Sequence, residues 1–145
     1  MNLHASCVVI DGCGVLLRGE PGSGKSDLAL RLIDSYADAK LVADDRVDVV
    51  ARDGALYASA PDALAGLLEV RGVGIVQLEY AREARLNLLL DLMDVAFVAR
   101  LPEAAYEEML GVRLPCLGLW PFAASAPAKL RQALRLLTTS PDVRA

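Results

Sequence analysis

The sequence predicts an α/β fold in which helices flank a mixed sheet. Short apolar runs bounded by Gly, Asp and Pro indicate strands, amphipathic stretches indicate helices, and a glycine-rich loop joins an early strand to the first helix. The chain has 145 residues, of which 54% are hydrophobic, which is enough for one well-buried core and too few for a second folded domain. We therefore expect a single domain over residues 1–145.

The first half of the chain is predicted to contain strands joined by tight turns. Asp11-Gly12 and Asp53-Gly54 are typical two-residue hairpin turns. A helix is expected over residues 27–37, because apolar residues recur there at helical spacing. Strands are expected at residues 8–10, 14–17, 41–43, 47–51 and 55–58.

The second half is predicted to mix further strands with helices. Short helices are expected over residues 61–68 and 102–110. Near the end of the chain, Leu130, Leu134 and Leu137 fall on one face of a terminal helix. Strands are expected at residues 74–78, 86–90 and 95–98.

A glycine-rich segment lies between the second predicted strand and the first helix. It reads GEPGSGKS, a complete G-x-x-x-x-G-K-[ST] phosphate-binding loop. The backbone N–H groups of such a loop, with the positive end of the following helix, surround phosphate oxygens. The segment predicts binding of ATP or GTP, and the alternative is a glycine-rich turn that only opens a helix. The expected nucleotide-binding residues are Gly19, Glu20, Pro21, Gly22, Ser23, Gly24, Lys25 and Ser26.

Two side chains of this loop have distinct expected roles. Lys25 would contact the β- and γ-phosphates as a positive charge, and the Ser26 hydroxyl would bind the Mg²⁺ ion that bridges them. These roles predict a nucleotide and a metal, but they leave the reaction open.

Two adjacent acids, Asp44 and Asp45, follow a short apolar strand. In a phosphate-loop fold, this position can direct carboxylates towards the metal of the nucleotide. Since side chains alternate along an extended chain, one acid would face the metal or an attacking hydroxyl and the other would hold a neighbour. Such a carboxylate could accept a proton from an alcohol. Alternatively, the pair only caps the turn into the next strand.

Glu69 and Arg71 form a third candidate group, with glycines at positions 72 and 74. In an extended segment the two side chains would point the same way. They could then bring a carboxylate to a metal and a guanidinium to a phosphate at one site. The alternative is a surface ion pair before a flexible turn.

Composition excludes several classes of function. The net charge of −4 and the pI of about 4.9 provide no basic surface for nucleic acid or an anionic membrane. No stretch of eighteen apolar residues and no export signal is present, so we expect a cytoplasmic protein. Cys7, Cys13 and Cys116 are odd in number and lie in apolar surroundings, which favours reduced core thiols.

Basic residues gather near the end of the chain. They accompany the terminal helix, which has Pro127 near its first turn. Either they form a solvated face of that helix, or they form a docking surface for an acidic partner or a neighbouring subunit. The residues concerned are Lys129, Arg131, Arg135 and Arg144.

These segments together resemble the catalytic domain of HPr kinase/phosphorylase, a family of bacterial protein-serine kinases. The resemblance rests on His4, the GEPGSGKS loop, LVADDRVDV at residues 41–49 and LLEVRGVGIVQ at residues 67–77, and it thins after about residue 78. It is closest to the short form that lacks the N-terminal regulatory domain of the family. The resemblance implies a phosphate-loop kinase domain of the HPr kinase/PEP carboxykinase-like type.

The resemblance implies ATP- and Mg²⁺-dependent transfer of phosphate to a serine of HPr. HPr is the small phosphocarrier protein of the sugar phosphotransferase system, so the implied role is regulation of carbon metabolism. Family members can reverse the reaction with inorganic phosphate, and they tend to form homo-oligomers, often hexamers. By position, Lys25 and Ser26 keep their roles and Glu69 becomes a second metal ligand. Asp45 is favoured over Asp44 for proton transfer.

Two further active-site residues are implied by the resemblance alone. His4 matches a histidine that the family uses at the active site, whereas by itself it would be read as incidental. Arg71 falls in the segment that the family uses in both directions of the reaction.

The chain departs from the family pattern after Leu114-Pro115. The family has a Pro-Gly-Arg-Asn-like loop with an active-site arginine there, whereas this chain reads Cys-Leu-Gly-Leu-Trp-Pro-Phe. Kinase activity is therefore the expectation, and the reverse reaction stays open. Trp120 and Phe122 are interpreted as core anchors, with an apolar docking site as the alternative.

Two other functions remain open from the sequence. One is a phosphate-loop kinase for a small molecule, although no arginine-rich lid is evident between the strands. The other is a nucleotide-dependent regulatory module without transfer activity, which the missing arginine loop would favour. Substitution of Asp45 separates an enzyme from a module, because only an enzyme would lose transfer while it keeps ATP binding.

Overall fold

The computed structural model describes residues 1–139, in which a mixed sheet packs against two helices. The helices are α1 (Lys25–Ser35) and α2 (Ala126–Thr139), and 3₁₀ turns span Asp62–Leu64 and Val95–Phe97. The strands are β1 (Asn2–Leu3), β2 (Ser6–Ile10), β3 (Cys13–Arg18), β4 (Ala39–Ala43), β5 (Val47–Arg52), β6 (Ala55–Ser59), β7 (Leu67–Val70), β8 (Gly74–Gln77), β9 (Ala84–Leu92), β10 (Ala105–Met109) and β11 (Val112–Leu119).

The strand β9 organises the main sheet. Its start pairs antiparallel with β6, its middle runs parallel to β3, and its end runs parallel to β11. The order is β1-β5-β6-β9-β3-β2-β4, with β10 paired to β11, whereas β7 and β8 form a separate hairpin. Since the sheet combines antiparallel hairpins with these parallel pairs, the predicted mixed sheet is confirmed.

Two of the hairpins turn as their sequences predict. Asp11 and Gly12 have φ values of 50° and 77°, and Asp53 and Gly54 have the same values. A two-residue turn in which both residues have positive φ matches the right-handed twist of the strands, and Asp-Gly adopts it at low cost. These turns fix the registers of the β2–β3 and β5–β6 hairpins.

The core lies on both faces of the sheet. On one face, Val15 and Leu17 of β3 pack with residues of α1 and α2. On the other face, Leu16 packs with residues of β5, β6 and β11. Because β3 is buried on both faces, its sequence is continuously apolar rather than alternating. The strand that leads into the glycine-rich loop is thus held firmly in the centre of the domain.

The terminal helix packs as expected. Leu130 and Leu134 are buried, and Leu137 lies partly buried against the same core. Neither helix in the described part of the chain combines the length and the apolar character that crossing a bilayer requires.

The basic residues of that helix do not all face solvent. Arg131 donates two hydrogen bonds to Asp38, at 2.8 and 3.0 Å, and its guanidinium lies 4.4 Å above the ring of Tyr36. The hydrogen bond from Arg131 holds the pKa of the Asp38 carboxyl below its ordinary value. Arg131 therefore braces α2 against the chain after α1, and Arg144 lies outside the described residues.

Three element predictions are wrong. Residues 61–68 form a 3₁₀ turn and the start of β7 instead of a helix, because Gly66 has a φ of 76° and ends helical geometry. Residues 95–98 form a 3₁₀ turn instead of a strand. Residues 105–109 form β10, although Ala, Glu and Met favour helices, since pairing with β11 overrides that preference.

The cysteines are free thiols. Cys7 is fully buried, whereas Cys13 and Cys116 are only partly buried. Burial raises the pKa of the Cys7 thiol to about 12. The expectation of reduced thiols agrees with these positions, but the expectation of a core location holds fully only for Cys7.

Candidate nucleotide site

The phosphate-binding loop connects the end of β3 to the start of α1. Gly22 and Gly24 have φ values of 81° and 97°, which side-chain-bearing residues rarely adopt. The Ser23 N–H donates to the Glu20 carbonyl at 2.9 Å, and the Leu28 N–H donates to the Gly24 carbonyl at 2.9 Å as the helix begins. Tight turns with left-handed glycines at a helix N-terminus are the geometry from which anion-binding nests are built.

Lys25 lies folded across this loop. Its Nζ donates to the carbonyl oxygens of Gly19 and Glu20, at 2.8 and 3.2 Å, and the residue is only 8% exposed. A buried ammonium is stable only when polar groups surround it, and here the carbonyls of the loop serve that purpose. The positive charge of the Lys25 ammonium group thus lies inside the loop, next to the carbonyl oxygens of Gly19 and Glu20.

Asp44 contacts the end of the loop through the Ser26 hydroxyl. It is 7% exposed, and its Oδ1 accepts hydrogen bonds from the hydroxyls of Ser6 and Ser26, each at 2.7 Å. Ser6 is fully buried on β2, so the contact ties β2, β4 and α1 together. This arrangement fixes the orientation of the Ser26 hydroxyl, the predicted metal ligand.

Asp45 has a different environment from its neighbour. The Arg46 N–H donates to the Asp44 carbonyl at 2.8 Å, and Asp45 between them has a φ of 69°. This is a three-residue turn of a rare and strained kind, and strain of this sort concentrates at functional sites. The turn exposes the Asp45 side chain, whose Oδ1 lies 2.8 Å from Nε2 of His4.

The β7–β8 hairpin contributes Glu69 and Arg71. Both residues are exposed, and β7 ends at Val70 just before the chain turns. Glu69 pairs with Ile75 across the hairpin, while the neighbouring Leu68 is fully buried and anchors the strand. The hairpin therefore presents a carboxylate and a guanidinium from an element that is separate from the main sheet.

A cleft of about 600 Å³ brings these groups together. It places the exposed Asp45 and the hairpin residues beside the phosphate-binding loop, whereas Asp44 lies beneath Ser26 and does not line it. Gly19, Glu20 and Ser23 also lie in the loop without lining the cleft. The predicted residues that do line it are His4, Pro21, Gly22, Gly24, Lys25, Ser26, Asp45, Glu69 and Arg71.

Five residues that line the cleft were not predicted as site residues, namely Ser6, Asp27, Leu30, Val70 and Phe122. Ser6 lines the cleft and binds Asp44, and its only signal was a polar residue at the start of an apolar strand. Phe122 was expected to be a core anchor, but it is 57% exposed and lines the cleft. Trp120, by contrast, is half-buried.

The donor groups of the cleft fit a metal that is shared with a nucleotide. Among the residues that the structure describes, no three His, Cys, Asp or Glu side chains group to hold an ion alone. Mg²⁺ keeps several waters and binds through one or two carboxylates plus substrate phosphates. The Ser26 hydroxyl on Asp44 and the exposed Glu69 carboxylate match that requirement.

An ion-pair network braces the strand that leads into the loop. Arg18 is the last residue of β3, and its guanidinium contacts Asp91 at 2.8 Å and Glu107 at 2.6 Å. The hydrogen bond from Arg18 lowers the pKa of the Glu107 carboxyl, and the same contact raises the pKa of Arg18. Arg18, the residue before Gly19, is therefore held by ion pairs with both β9 and β10.

A complete phosphate-binding loop between a buried strand and a helix, with an aspartate bonded to its serine, defines a phosphate-loop nucleotide-binding protein. Residues 1–117 match the family described as the HPr Serine kinase C-terminal domain. The chain belongs to this family.

Individual relatives agree with this assignment. The chain is 45% identical over 75 residues to HPr kinase/phosphorylase of Clostridium botulinum (strain Eklund 17B / Type B), and 49% identical over 76 residues to that of Streptococcus thermophilus (strain ATCC BAA-491 / LMD-9). Each match covers 52% of this chain and 24% of the relative, so the chain matches only about a quarter of the length of these relatives.

A solved structure supports the fold over nearly the whole chain. The Hpr(Ser) kinase/phosphatase from Coxiella burnetii superposes with a TM-score of 0.83 at 27% sequence identity. The match covers 94% of this chain and 95% of that one. The predicted phosphate-loop kinase fold is therefore confirmed.

Proposed function

We propose that this chain is an ATP- and Mg²⁺-dependent protein-serine kinase domain that phosphorylates HPr. The observation that carries the proposal is the opposite placement of the two aspartates. Asp44 is buried under the Ser26 hydroxyl and does not line the cleft, whereas Asp45 is exposed in the cleft beside His4. One carboxylate thus supports the nucleotide site, and the other is available to an incoming hydroxyl.

The loop would hold the triphosphate. Its backbone N–H groups would bind the phosphate oxygens, and Lys25 would exchange its two carbonyl partners for the β- and γ-phosphates. Ser26 and Glu69 would hold Mg²⁺, which neutralises charge on the β- and γ-phosphate oxygens when it is bound. The hydroxyl of Ser23, which is buried without a partner among the described residues, is a further donor within the loop.

Asp45 would accept the proton of the acceptor serine. The serine oxygen forms a bond to the γ-phosphorus while the bond from that phosphorus to the β,γ-bridging oxygen breaks, and its electrons leave with ADP. The serine proton passes to the Asp45 carboxylate, which His4 orients through the 2.8 Å contact. Arg71, at the cleft edge, would contact the transferring phosphoryl group through its guanidinium.

The family supports HPr as the acceptor, because the relatives named above are HPr kinases/phosphorylases. The proposal covers the kinase direction only, since residues 115–122 contain no arginine. Assembly into a homo-oligomer, such as a hexamer, and a cytoplasmic location stay predictions. Light scattering of the purified protein tests the first of these.

Phosphate transfer from labelled ATP to purified HPr tests the proposal. We expect label on wild-type HPr in the presence of Mg²⁺, and none on an HPr variant whose acceptor serine is alanine. Lys25→Ala should reduce transfer by about 100-fold or more, as loss of a charge-stabilising donor does. Binding of ATP with no transfer to HPr would contradict the proposal.

Asp45→Asn separates an enzyme from a regulatory module. We expect transfer to fall while the affinity for ATP stays within about twofold, because Asp45 is exposed and does not touch the loop serine. Asp34→Asn, at an exposed position of α1, is the matched control and should leave both unchanged. If Asp45→Asn leaves transfer unchanged, the assignment of the base is wrong.

A further inference from the structure

An aromatic ring lies directly on the phosphate-binding loop. A side chain at Gly24 would place its Cβ 3.0 Å from the ring of Phe122, so the ring is in contact with the loop backbone. Phe122 is 57% exposed and lines the cleft. Much of the surface of this large apolar side chain is therefore open to a ligand that occupies the cleft.

The backbone around Phe122 is clamped from α1. The Arg31 guanidinium donates to the carbonyl oxygens of Pro121 and of Ala123, the latter at 3.3 Å, and its Nε donates to Asp27 at 3.0 Å. Both residues that flank Phe122 are therefore tied to the helix that begins at the loop. These contacts hold the backbone that carries the Phe122 ring beside the loop.

Trp120 contacts the same ring from one side. The two ring centroids are 6.5 Å apart and the planes cross at 76°, which is an edge-to-face arrangement. Trp120 is half-buried and does not line the cleft. The contacts with Arg31 therefore hold the segment around Phe122, and the Phe122 ring is the aromatic surface that lines the cleft.

The cleft has two chemically different groups of lining residues. One group is charged or polar and includes His4, Asp45, Glu69 and Arg71, which suits the reacting phosphate and its metal. The other group is apolar and comprises Pro21, Leu30, Val70 and Phe122. A nucleotide has the same division, with a charged phosphate chain at one end and a flat aromatic base at the other.

We propose that the exposed face of Phe122 stacks on the base of the bound nucleotide. This inference rests on the proposed function, because it assumes a nucleotide whose phosphates occupy the loop. Stacking on an aromatic side chain tolerates any base, since every base presents a π-face. The contact therefore increases affinity for purine nucleotides and discriminates little between ATP and GTP.

The phosphates alone provide the reference ligand. Inorganic tripolyphosphate has the charged chain of ATP but no base, so it lacks the group that would stack on Phe122. In calorimetric titrations with Mg²⁺, we expect Phe122→Ala to weaken ATP and GTP binding by about 5- to 150-fold, the usual range for removing a base-stacking contact. Binding of tripolyphosphate should stay within about twofold, and Phe122→Trp should retain ATP affinity.

The chain offers a matched control in its other phenylalanine. Phe97 is 78% exposed, lies in the 3₁₀ turn Val95–Phe97 and does not line the cleft. Phe97→Ala should leave binding of both ligands unchanged. Thermal unfolding of each variant checks that the fold is intact.

Three results would overturn the inference. Equal weakening of ATP and tripolyphosphate by Phe122→Ala would mean that the ring only shapes the loop. Unchanged ATP affinity with a raised KM for HPr would make Phe122 part of a protein docking surface. If the wild type bound neither ligand in a Lys25-dependent way, the inference and the proposed function would both fail. If ATP bound with the expected Phe122 dependence but no transfer to HPr occurred, only the kinase proposal would fail.

Discussion

The floor of the cleft and its hairpin wall differ in how they are built. The floor consists of Lys25, at the start of α1, together with Asp44, which follows β4 and lies just beneath the lining residue Ser26, and both residues are buried. The wall is the separate β7–β8 hairpin, on which Val73 and Ile75 are 77% and 73% exposed. The cleft thus combines buried groups beside α1 and the main sheet with Glu69 and Arg71 on an exposed hairpin.

Because of this difference, we expect substitutions in the floor to affect both stability and activity, and substitutions in the wall to affect activity alone. A buried polar group shares its hydrogen bonds with the core, so its removal affects folding and function together. An exposed residue on a two-stranded hairpin has few such partners, so its removal affects function alone. The following predictions test that separation, in order of decreasing effect.

The largest expected effect is at the floor. Asp44→Ala would leave the hydroxyls of Ser6 and Ser26 without their acceptor, at a cost of about 1–3 kcal/mol for a buried unsatisfied group. Phosphate transfer should fall by about 10- to 100-fold, because the orientation of the Ser26 hydroxyl is lost. Urea unfolding and the labelled-ATP assay measure the two effects. Transfer that falls without any loss of stability would contradict the assigned role of the floor.

A substitution in the hairpin wall should lower activity and leave stability almost unchanged. Glu69→Gln is expected to lower kcat by about 10- to 100-fold and to raise the Mg²⁺ concentration needed for half-maximal activity, as expected when a metal-directed carboxylate is lost. The free energy of unfolding should change by less than about 0.5 kcal/mol, because the side chain is exposed. Glu79→Gln, at an exposed residue that contacts Lys40, is the control and should leave kcat unchanged.

A smaller effect concerns the pH dependence of stability. The pKa of Glu107 is lowered in the folded state by Arg18, so this contact stabilises the fold above the ordinary carboxyl pKa of 4.5. The stabilisation is lost as the pH falls through the lowered pKa. Since the carboxylate is 41% exposed, the contribution at pH 7 should not exceed about 1 kcal/mol.

Glu107→Gln tests this contribution. Urea unfolding between pH 7 and pH 3 should show the variant less stable at pH 7 and the difference from wild type shrinking below pH 4.5. A difference that stays constant over this range would show that the contact acts through packing rather than charge.

The smallest effect is expected on the outer surface of the wall. Ile75→Thr keeps the branched side chain and should change the free energy of unfolding by less than about 0.5 kcal/mol, because Ile75 is 73% exposed. Urea unfolding of the variant and of the wild type measures this change in the free energy of unfolding. A loss above about 1 kcal/mol would mean that the hairpin is more tightly packed than its exposure indicates.

The parts of the fold that could be predicted depend on local signals. The phosphate-binding loop and the Asp11-Gly12 and Asp53-Gly54 turns need only neighbouring residues, since glycine at positive φ decides their geometry. The sequence also indicated that the two aspartates would separate. Which of them is buried could not be predicted, because the answer depends on Ser6, 38 residues earlier, and on the strained turn at Asp45.

Non-local pairing explains most of the errors. The segment Ala105–Met109 has the composition of a helix, but it becomes β10 through the turn at Leu110-Gly111 and pairing with β11. Leu110 has a φ of 48°, which is unusual for leucine, so the turn had no recognisable sequence signal. Phe122 was misread for a similar reason, since its position beside Gly24, almost a hundred residues earlier, is a non-local feature of the fold.

The pairing of β3 has a consequence for the order of folding. One neighbour of β3 is β2, which is separated from it by a two-residue turn. The other neighbour is β9, in which Leu88 pairs with Val15. The contact between Arg18 and Asp91 joins residues that are 73 positions apart in the sequence. Long-range parallel pairing is slow, because a long loop must close before the contacts form. On a ribosome, β9 emerges on the order of 4 to 14 s after the loop. A nascent chain that ends before Leu92 therefore carries the GEPGSGKS sequence without the complete pairing of β3 with β9.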